Sequence, residues 1–384
     1  MSLRRHAEQD LPRWRRAVLK VGSSLLAANG GGLSTRHVLG LAEFIAASHR
    51  AGREVVLVSS GAVAAGRALV RHQPEAAHGL AARQALAAIG QTTVVALWQR
   101  FFDRPVAQVL LTHDDLRNRR RYLNARATLR ELLALGALPV VNENDTVAVD
   151  ELKLGDNDNL AAIVAALVDA DLLLIASDID GLYSSNPRSD ANAEPIADVA
   201  AVTPAILAMA GGSGSSMGTG GMYTKLEAAT KAAAAGIATV LFNGTDADSL
   251  RLLATDRLRG TLFRAGDTRL HARKYWLRHA PLAGGRLRID AGAARAVLGA
   301  GASLLPGGIT AVHGDFARGD MVEIETAQEW GTQIVARGIS QYAAGEVRRI
   351  AGRKSAEIEN LLGYSYGETV VHRDDLVAMS GANP

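Results

Sequence analysis

Residues 17–24 read AVLKVGSS, five residues rich in aliphatic side chains running straight into Gly22-Ser23-Ser24. That is the pattern of a buried strand closed by a turn. One residue interrupts the apolar run, Lys20, next to its end. Five more runs have the same character: EVVLVS (54–59), VAQVLL (106–111), LPVVN (138–142), DLLLIAS (171–177) and ATVLFN (238–243). They are nearly continuous in hydrophobic residues, so each expects cover on both faces. Between them lie helical patterns at 34–52, 81–102 and 121–136, the first opened by Ser34-Thr35 and closed by Gly52. Strands alternating with helices predict an α/β fold whose parallel sheet is covered on both faces.

Ligands in such sheets lie beyond the carboxyl ends of the strands. The polar and glycine-rich material of this chain gathers at those ends. Gly22-Ser23-Ser24 follows the first strand and Ser59-Ser60-Gly61-Ala62 the second. NENDTVAVDELKLGDNDN (142–159) follows LPVV, and SDIDGLY (177–183) follows DLLLIA.

A second region begins near Gly284, after the basic stretch ARKYWLRHAPLAGG. Its strand candidates are shorter (GRLRID, MVEIET, TQIVARG) and its turns richer in glycine, which predicts a small β-rich domain. The expected organisation is a first domain over 15–265, a linker over 266–283 and a second domain over 284–373, with a frayed tail after Arg373.

The chain has 384 residues, enough for two well-buried cores. With 48% hydrophobic and 21% charged residues it reads as soluble and globular. A net charge of +3 gives no argument for nucleic acid. The absence of cysteine excludes disulfides, thiolate chemistry and Cys-bound zinc, and suits a reducing cytoplasm, the expected location. Arg15-Arg16 before an apolar run imitates an export signal, but Lys20 and Gly22 break that run. No stretch is read as long and apolar enough to span a membrane.

Of the 42 basic residues only six are lysines: Lys20, Lys153, Lys225, Lys231, Lys274 and Lys354. A chain that otherwise writes arginine can keep lysine where a compact ammonium fits and a planar fork does not. Three of the six fall in glycine-rich or acid-rich stretches; chance surface placement accounts equally for the others.

No Walker loop is present, and GSGSSM puts Met217 where a dinucleotide fingerprint needs its third glycine. Gly218, Gly220 and Gly221 followed by Lys225 in the first turn of a helix nonetheless make a phosphate cradle in physical terms. A flexible linker explains GGSGSSMGTGG equally well. Lys20, in an apolar strand, either meets an anion or snorkels from an edge. The acid-rich stretch holds Glu143, Asp145, Asp150, Glu151, Asp156 and Asp158 around Lys153, without calcium-loop spacing. Asp156 to Asn159 open a helix, and one cap needs one such residue, not four. The surplus suggests a substrate or Mg²⁺ site. Phosphoryl transfer uses all these pieces. With no Ser–His pair among them, a carboxylate acceptor, already ionised at neutral pH, fits better than an alcohol.

The stretches VLKVGSS, VSSGAVAAG, NARATL, VNENDTVA, GDNDNLAA, SDIDGLY and TGGMYTK, in this order, resemble the bacterial glutamate 5-kinases of the amino-acid kinase family. GASLLPGGITAVHGDFARGDMVEI resembles the PUA domain found at their C-terminus. The resemblance implies a three-layer αβα sandwich followed by a small β-rich PUA-like domain. It implies ATP-dependent phosphorylation of the L-glutamate γ-carboxylate to L-glutamyl 5-phosphate, the first step of proline synthesis from glutamate. Lys20 and Lys225 would contact the transferring phosphoryl group, Asp158 would orient both, and Lys153 would lie nearby. Ser60, Asp145 and Asn157 would hold glutamate. Ser177, Asp178, Thr219, Gly220, Gly221, Met222, Tyr223, Thr224 and the two lysines Lys20 and Lys225 would bind ATP, accompanied by Mg²⁺ whose protein ligands the sequence does not identify. Tyr223 departs from the smaller serine expected there. L-Proline is the implied feedback inhibitor and a homo-oligomer the implied assembly. The Arg-rich N-terminal extension lies outside the pattern and is expected to be disordered.

Two other functions fit parts of the chain. One is a related kinase of acetylglutamate, aspartate, carbamate or UMP. The other is an RNA-binding PUA protein, against which residues 284–372 hold nine Lys/Arg and ten Asp/Glu. Phe316, Trp330, Tyr342, Tyr364 and Tyr366 read as dispersed core residues rather than a stacking platform.

Overall fold

Each of the six apolar runs of the first region is a strand, and their order in space explains why they are so apolar. The computed structural model describes residues 5–26, 32–70, 79–112, 115–116, 119–148, 157–187, 189–190, 192–210, 221–266, 284–328 and 331–379. Its strands are β1 (Glu8–Asp10), β2 (Arg16–Val21), β3 (Glu54–Ser59), β4 (Val106–Leu111), β5 (Leu138–Glu143), β6 (Leu172–Ser177), β7 (Leu182–Tyr183), β8 (Pro195–Ile196), β9 (Asp198–Val199), β10 (Ala238–Asn243) and β11 (Arg257–Phe263). Among the described residues one nine-stranded sheet runs β1-β11-β10-β6-β2-β3-β5-β4, with β9 on β11, and β7 pairs β8 separately. From β10 to β4 every pairing is parallel. β2 sits at the middle, between β3 and β6.

Side chains alternate across the strands, and the two alternations feed two cores. Leu19, Leu57, Leu174 and Val240 pack with Leu41 and Ile45 of the helix Val38–Arg50, with Trp98 of Leu80–Gln99 and with Leu253 of Ala247–Ala254. Val18, Val56, Leu173 and Leu241 pack with Leu129 of Arg119–Ala134, Leu160 of Asn157–Leu167 and Leu226 of Met222–Ala234. The result is the expected three-layer αβα sandwich.

The helix Leu80–Gln99 corrects one expectation, because by length and composition it could cross a membrane. Here it lies against the helix Ala62–Leu69 with backbones touching. A Cβ on Gly66 would fall 1.9 Å from the Leu86 carbonyl oxygen, and one on Gly90 would fall 1.9 Å from that of Ala62. Its other buried residues, Val94, Leu97 and Trp98, join the core, so its apolar composition is in part that of a packed helix.

The N-terminal extension is a second correction. β1 pairs antiparallel with β11, His6 is buried, and Leu11 and Trp14 enter the core. Apolar residues spaced among arginines concealed this from a reading that sought long runs.

The chain divides into two compact units, Met1–Arg269 and Leu270–Pro384. The second holds β12 (Gly285–Ile289), β13 (Ile309–His313), β14 (Met321–Gln328), β15 (Gly331–Ser340) and β16 (Val371–Ala378), ordered β13-β12-β14-β15-β16. Leu287, Ile324, Val335, Tyr342, Val347 and Ile350 form its core. The expectation of a frayed tail after Arg373 fails: β16 pairs β15 as far as Ala378, with Leu376 and Val377 buried. The polar quartet His372 to Asp375 hid the strand. The dispersed-core reading of the aromatic residues also fails in part. Phe316 and Tyr342 are buried, but Tyr364 and Tyr366 are exposed, and the Tyr366 ring lies tilted against those of Tyr342 and Tyr364 at centroid distances of 5.5 and 5.2 Å. Trp330 lies outside the described residues.

The helix crossing gives the first prediction. Gly66→Ala and Gly90→Ala should each lower unfolding stability by about 1–3 kcal/mol or more, since the methyl meets backbone that cannot swing aside. Gly299→Ala, with open space around the added methyl, should be neutral or stabilising. Urea titration of the three variants checks this; equal stabilities would mean that the helices do not touch.

Candidate active site

Val18 and Lys20 share one face of β2, the face on which the helices Asn157–Leu167 and Met222–Ala234 lie. Lys20 is the last residue of the strand to point that way before Gly22. The two helices pack through alanines: Ala161, Ala162 and Ala165 on one, Ala228, Ala229 and Ala232 on the other, all buried. Small side chains permit close axes, and close axes bring the helix N-termini together over the end of β2. Asn159 ties the pair, accepting from Lys231 Nζ at 2.7 Å.

Asp158 stands at the meeting point, fully buried. Its Oδ1 lies 2.6 Å from Lys20 Nζ and its Oδ2 3.2 Å from Lys225 Nζ. Thr224 Oγ1 is 2.9 Å from the same Oδ2 and 2.8 Å from the Gly221 carbonyl. Both lysines are themselves nearly buried, at 3% and 6% exposure. Charge decides what this cluster wants. Two ammonium groups face one carboxylate, and the positive ends of two helix dipoles add to them. Positive charge gathered in this way at the mouth of a parallel sheet attracts an anion. Such an arrangement can hold an anionic group, a phosphoryl group among them.

Beside it runs a chain of polar side chains. Asn157 Nδ2 donates to Ser60 Oγ at 2.6 Å and to Asn142 Oδ1 at 3.0 Å, and Asn142 Nδ2 donates to Gln91 Oε1 at 2.8 Å. Gly61, with φ +104°, turns the chain from Ser60 into the next helix, a conformation that L side chains adopt only with strain. Trp98 Nε1 donates to Ser59 Oγ at 3.0 Å and so fixes the strand end from the core side. Asp145 is half-buried on the turn that follows β5.

On the other side of β2, Ser177 ends β6 and pairs in register with Asn243 of β10. Asn243 Nδ2 donates to Asp180 Oδ1 at 2.7 Å, and Ser177 Oγ lies 3.3 Å from Asp178 Oδ1. Asp178 is exposed. Gly221 caps the helix that begins at Met222, where Met222 leans on the core and Tyr223 is exposed.

Lys20, Lys225 and Asp158 are thus in contact, Ser60 touches Asn157, and Ser177 with Asp178 ends the strand next to β2. Lys153, Thr219 and Gly220 lie outside the described residues. Sequence reasoning overlooked Asn142 and Gln91, which join Ser60 to the sheet, and Asn243, which anchors Asp180. Asn142 and Asn243 carried a signal, a polar residue ending an apolar strand. Gln91, in mid-helix, carried none. Among the described residues no group of three or more His, Asp or Glu could hold a metal ion.

The chain matches the model of the amino acid kinase family over residues 15–243 and that of the PUA domain over 285–362. A glutamate 5-kinase of Xanthomonas campestris is 70% identical over 362 residues, covering 94% of this chain and all of the relative. One from Xanthomonas euvesicatoria is 69% identical over the same shares, and one from Xylella fastidiosa is 66% identical over 376 residues, 98% of each chain. Among solved structures, a UMP kinase from Bacillus anthracis aligns with a TM-score of 0.47 at 14% identity, over 67% of this chain and 98% of its own. A carbamate kinase from Giardia lamblia bound to AMP-PNP aligns with a TM-score of 0.48 at 17% identity, over 65% and 98%.

Charge counting separates two substitutions that both remove one member of the cluster. Lys20→Met leaves Asp158 paired with Lys225; Asp158→Asn takes from both lysines the carboxylate they share. Asp158→Asn should therefore lose more stability, about 3–5 kcal/mol, because it strands buried charge. Turnover should collapse in both. Paired urea titrations and initial rates check this, and a Lys20→Met protein less stable than Asp158→Asn would overturn the electrostatic account.

Proposed function

The chain belongs to the amino acid kinase family, among its glutamate 5-kinases, and from that premise we propose how its residues divide the work. The reaction is ATP-dependent phosphorylation of L-glutamate at its γ-carboxylate, giving L-glutamyl 5-phosphate and ADP, the opening step of proline synthesis. The observation that carries the assignment of roles is Asp158 buried between Lys20 and Lys225 at 2.6 and 3.2 Å.

In this reading Lys20 and Lys225 bind the equatorial oxygens of the transferring phosphoryl group, whose charge spreads outward as the bond to ADP loosens. Asp158 holds both ammonium groups in place, so that no reorganisation is needed at the moment of transfer. Lys153 adds a further cation nearby. Ser60, Asp145 and Asn157 hold glutamate; Asp145 is the natural partner of its ammonium group. The γ-carboxylate is already ionised and attacks phosphorus directly, without a base. Ser177, Asp178 and the run Thr219 to Lys225 hold the nucleotide. Mg²⁺ bound with ATP would neutralise charge on the phosphates.

The remaining partners follow the same premise. L-Proline is the proposed feedback inhibitor, and a cytoplasmic location suits the reaction. A homo-oligomer is proposed; Leu69 and Ile89, with Ala81, Ala85 and Ala88, give the paired helices an exposed apolar face that a second copy would cover. RNA is not a proposed partner: Arg288 and Arg337 of the second unit pair with Glu325 and Glu323 at 3.1 and 3.0 Å, which consumes the charge a phosphate backbone would need.

Trapping the acyl phosphate with hydroxylamine tests the reaction. Glutamate should give hydroxamate, while acetylglutamate, aspartate, carbamate and UMP should not support turnover; preference for any of these overturns the acceptor. Lys225→Arg should cut kcat by about two orders of magnitude, since a planar fork cannot replace a compact charge whose loss is worth about 2.7–4 kcal/mol. Asn157→Ala should raise KM for glutamate and leave KM for ATP near its starting value. If ATP KM climbs instead, the two substrates are assigned to the wrong sides of β2. Ile89→Glu should lower the mass seen by light scattering if the exposed helix face is the contact.

A further inference from the structure

The turn that begins at Ser177 and Asp178 runs through Asp180 and Gly181 into β7, and it is held at two points. One is Asn243, whose amide binds Asp180. The other comes from the far N-terminus. His6 is 3% exposed, and its Nε2 lies 3.1 Å from the Leu182 carbonyl oxygen and 3.3 Å from Thr261 Oγ1. Its ring meets Tyr183 edge-on, centroids 4.9 Å apart. Thr261 Oγ1 accepts the Leu182 N–H at 2.8 Å and donates to the Ile196 carbonyl at 2.6 Å. A Cβ on Gly181, where φ is +155°, would fall 2.7 Å from both His6 Nε2 and Thr261 Oγ1. The turn is shaped around the imidazole. β1 anchors what precedes and follows it: Gln9 Nε2 donates to the Ala197 carbonyl at 2.8 Å, and Glu8 pairs with Arg259 at 2.7 Å.

We propose that residues 5–10 are a positioning arm for the nucleotide-binding turn, in which His6, lodged against Gly181, Leu182 and Thr261, fixes the turn that carries Asp178 and thereby sets affinity for ATP. The proposal rests on the assignment of Ser177 and Asp178 to the nucleotide. His6 acts through the turn and touches no substrate.

The protonation state follows from the contacts. The Leu182 carbonyl only accepts, so Nε2 carries the hydrogen, and Nδ1 is a buried lone pair with no hydrogen-bond partner. A proton on Nδ1 would have no acceptor, and burial accordingly holds the His6 pKa below its usual 6.5. Of the titratable groups around the ring, Asp180 favours the charged form and opposes burial, and the Tyr183 phenol, pushed up to about 12, stays neutral. Glu8 and Arg259 on the β1–β11 pair compensate each other. A group with a depressed pKa on docking keeps the arm docked above its free value and releases it as pH falls through the lowered value.

The test compares His6→Ala, His6→Gln and Asp178→Ala in the full chain. His6→Ala should raise KM for ATP roughly three- to tenfold, the worth of about one hydrogen bond, with kcat and KM for glutamate unchanged. It should also speed amide exchange over residues 178–183. His6→Gln, which keeps an N–H for Leu182 but cannot titrate, should restore ATP KM near pH 7.5 and remove the rise that the parent protein shows on acidification. A His6→Ala protein whose exchange quickens while ATP KM stays fixed overturns the proposal, as does a loss of kcat and glutamate affinity in equal measure, which would mark general destabilisation. If Asp178→Ala leaves ATP KM unchanged, the nucleotide assignment itself fails and the arm's role falls with it.

Discussion

A carboxylate without access to water, shared by two lysines from different elements, is the constraint around which the first unit is arranged. Asp158 and the two lysines offset one another's cost of burial. The strand that brings Lys20 and the two helices that bring Asp158 and Lys225 must therefore end at one place. The alanine faces of the helices make that possible by letting the axes approach, and the central position of β2 puts the meeting point in the middle of the sheet edge. Two ammonium groups and two helix N-termini meet one carboxylate there, which makes the place attractive to an anion.

The polar residues on either side of β2 extend the same logic. On the β3 and β5 side, amides and hydroxyls from Gln91 to Ser60 pass hydrogen bonds along one line, which suits a substrate with several charged groups in fixed positions. On the β6 and β10 side, the strand ends carry Ser177 and Asn243 in register, and the turn beyond them is held by Asn243 and by an arm from the N-terminus. The scarcity of lysine makes sense in these terms. Two of the six occupy a space closed by a strand and two helix starts, where a guanidinium would need room for five donors and would find one carboxylate.

The sequence by itself determined the layered sheet, because burial on both faces demands continuous apolar runs, and such runs are local and unmistakable. It also drew attention to Lys20 inside an apolar run, to the surplus of acids and amides around Asp158 and to the glycines before Lys225, but snorkelling or a flexible linker remained open for the lysines, and the resemblance to a known family gave all three their roles. What only the tertiary structure decided were the features that depend on contacts between distant segments. Gln91 looks like any glutamine on a helix until Asn142 arrives from β5. His6 lies in a segment expected to be disordered, because three residues of β1 are too short to show a period, and its hydrogen-bond partners on β7 and β11 lie 176 and 255 residues away. β16 was hidden by polar residues that the pairing with β15 makes tolerable. The helix Leu80–Gln99 is long and apolar enough to pass for a membrane span, and its glycine contacts with the neighbouring helix and the burial of Val94, Leu97 and Trp98 reveal a packed element. A pattern of side chains records what each segment needs to bury; which partner meets that need is settled only when the chain is closed.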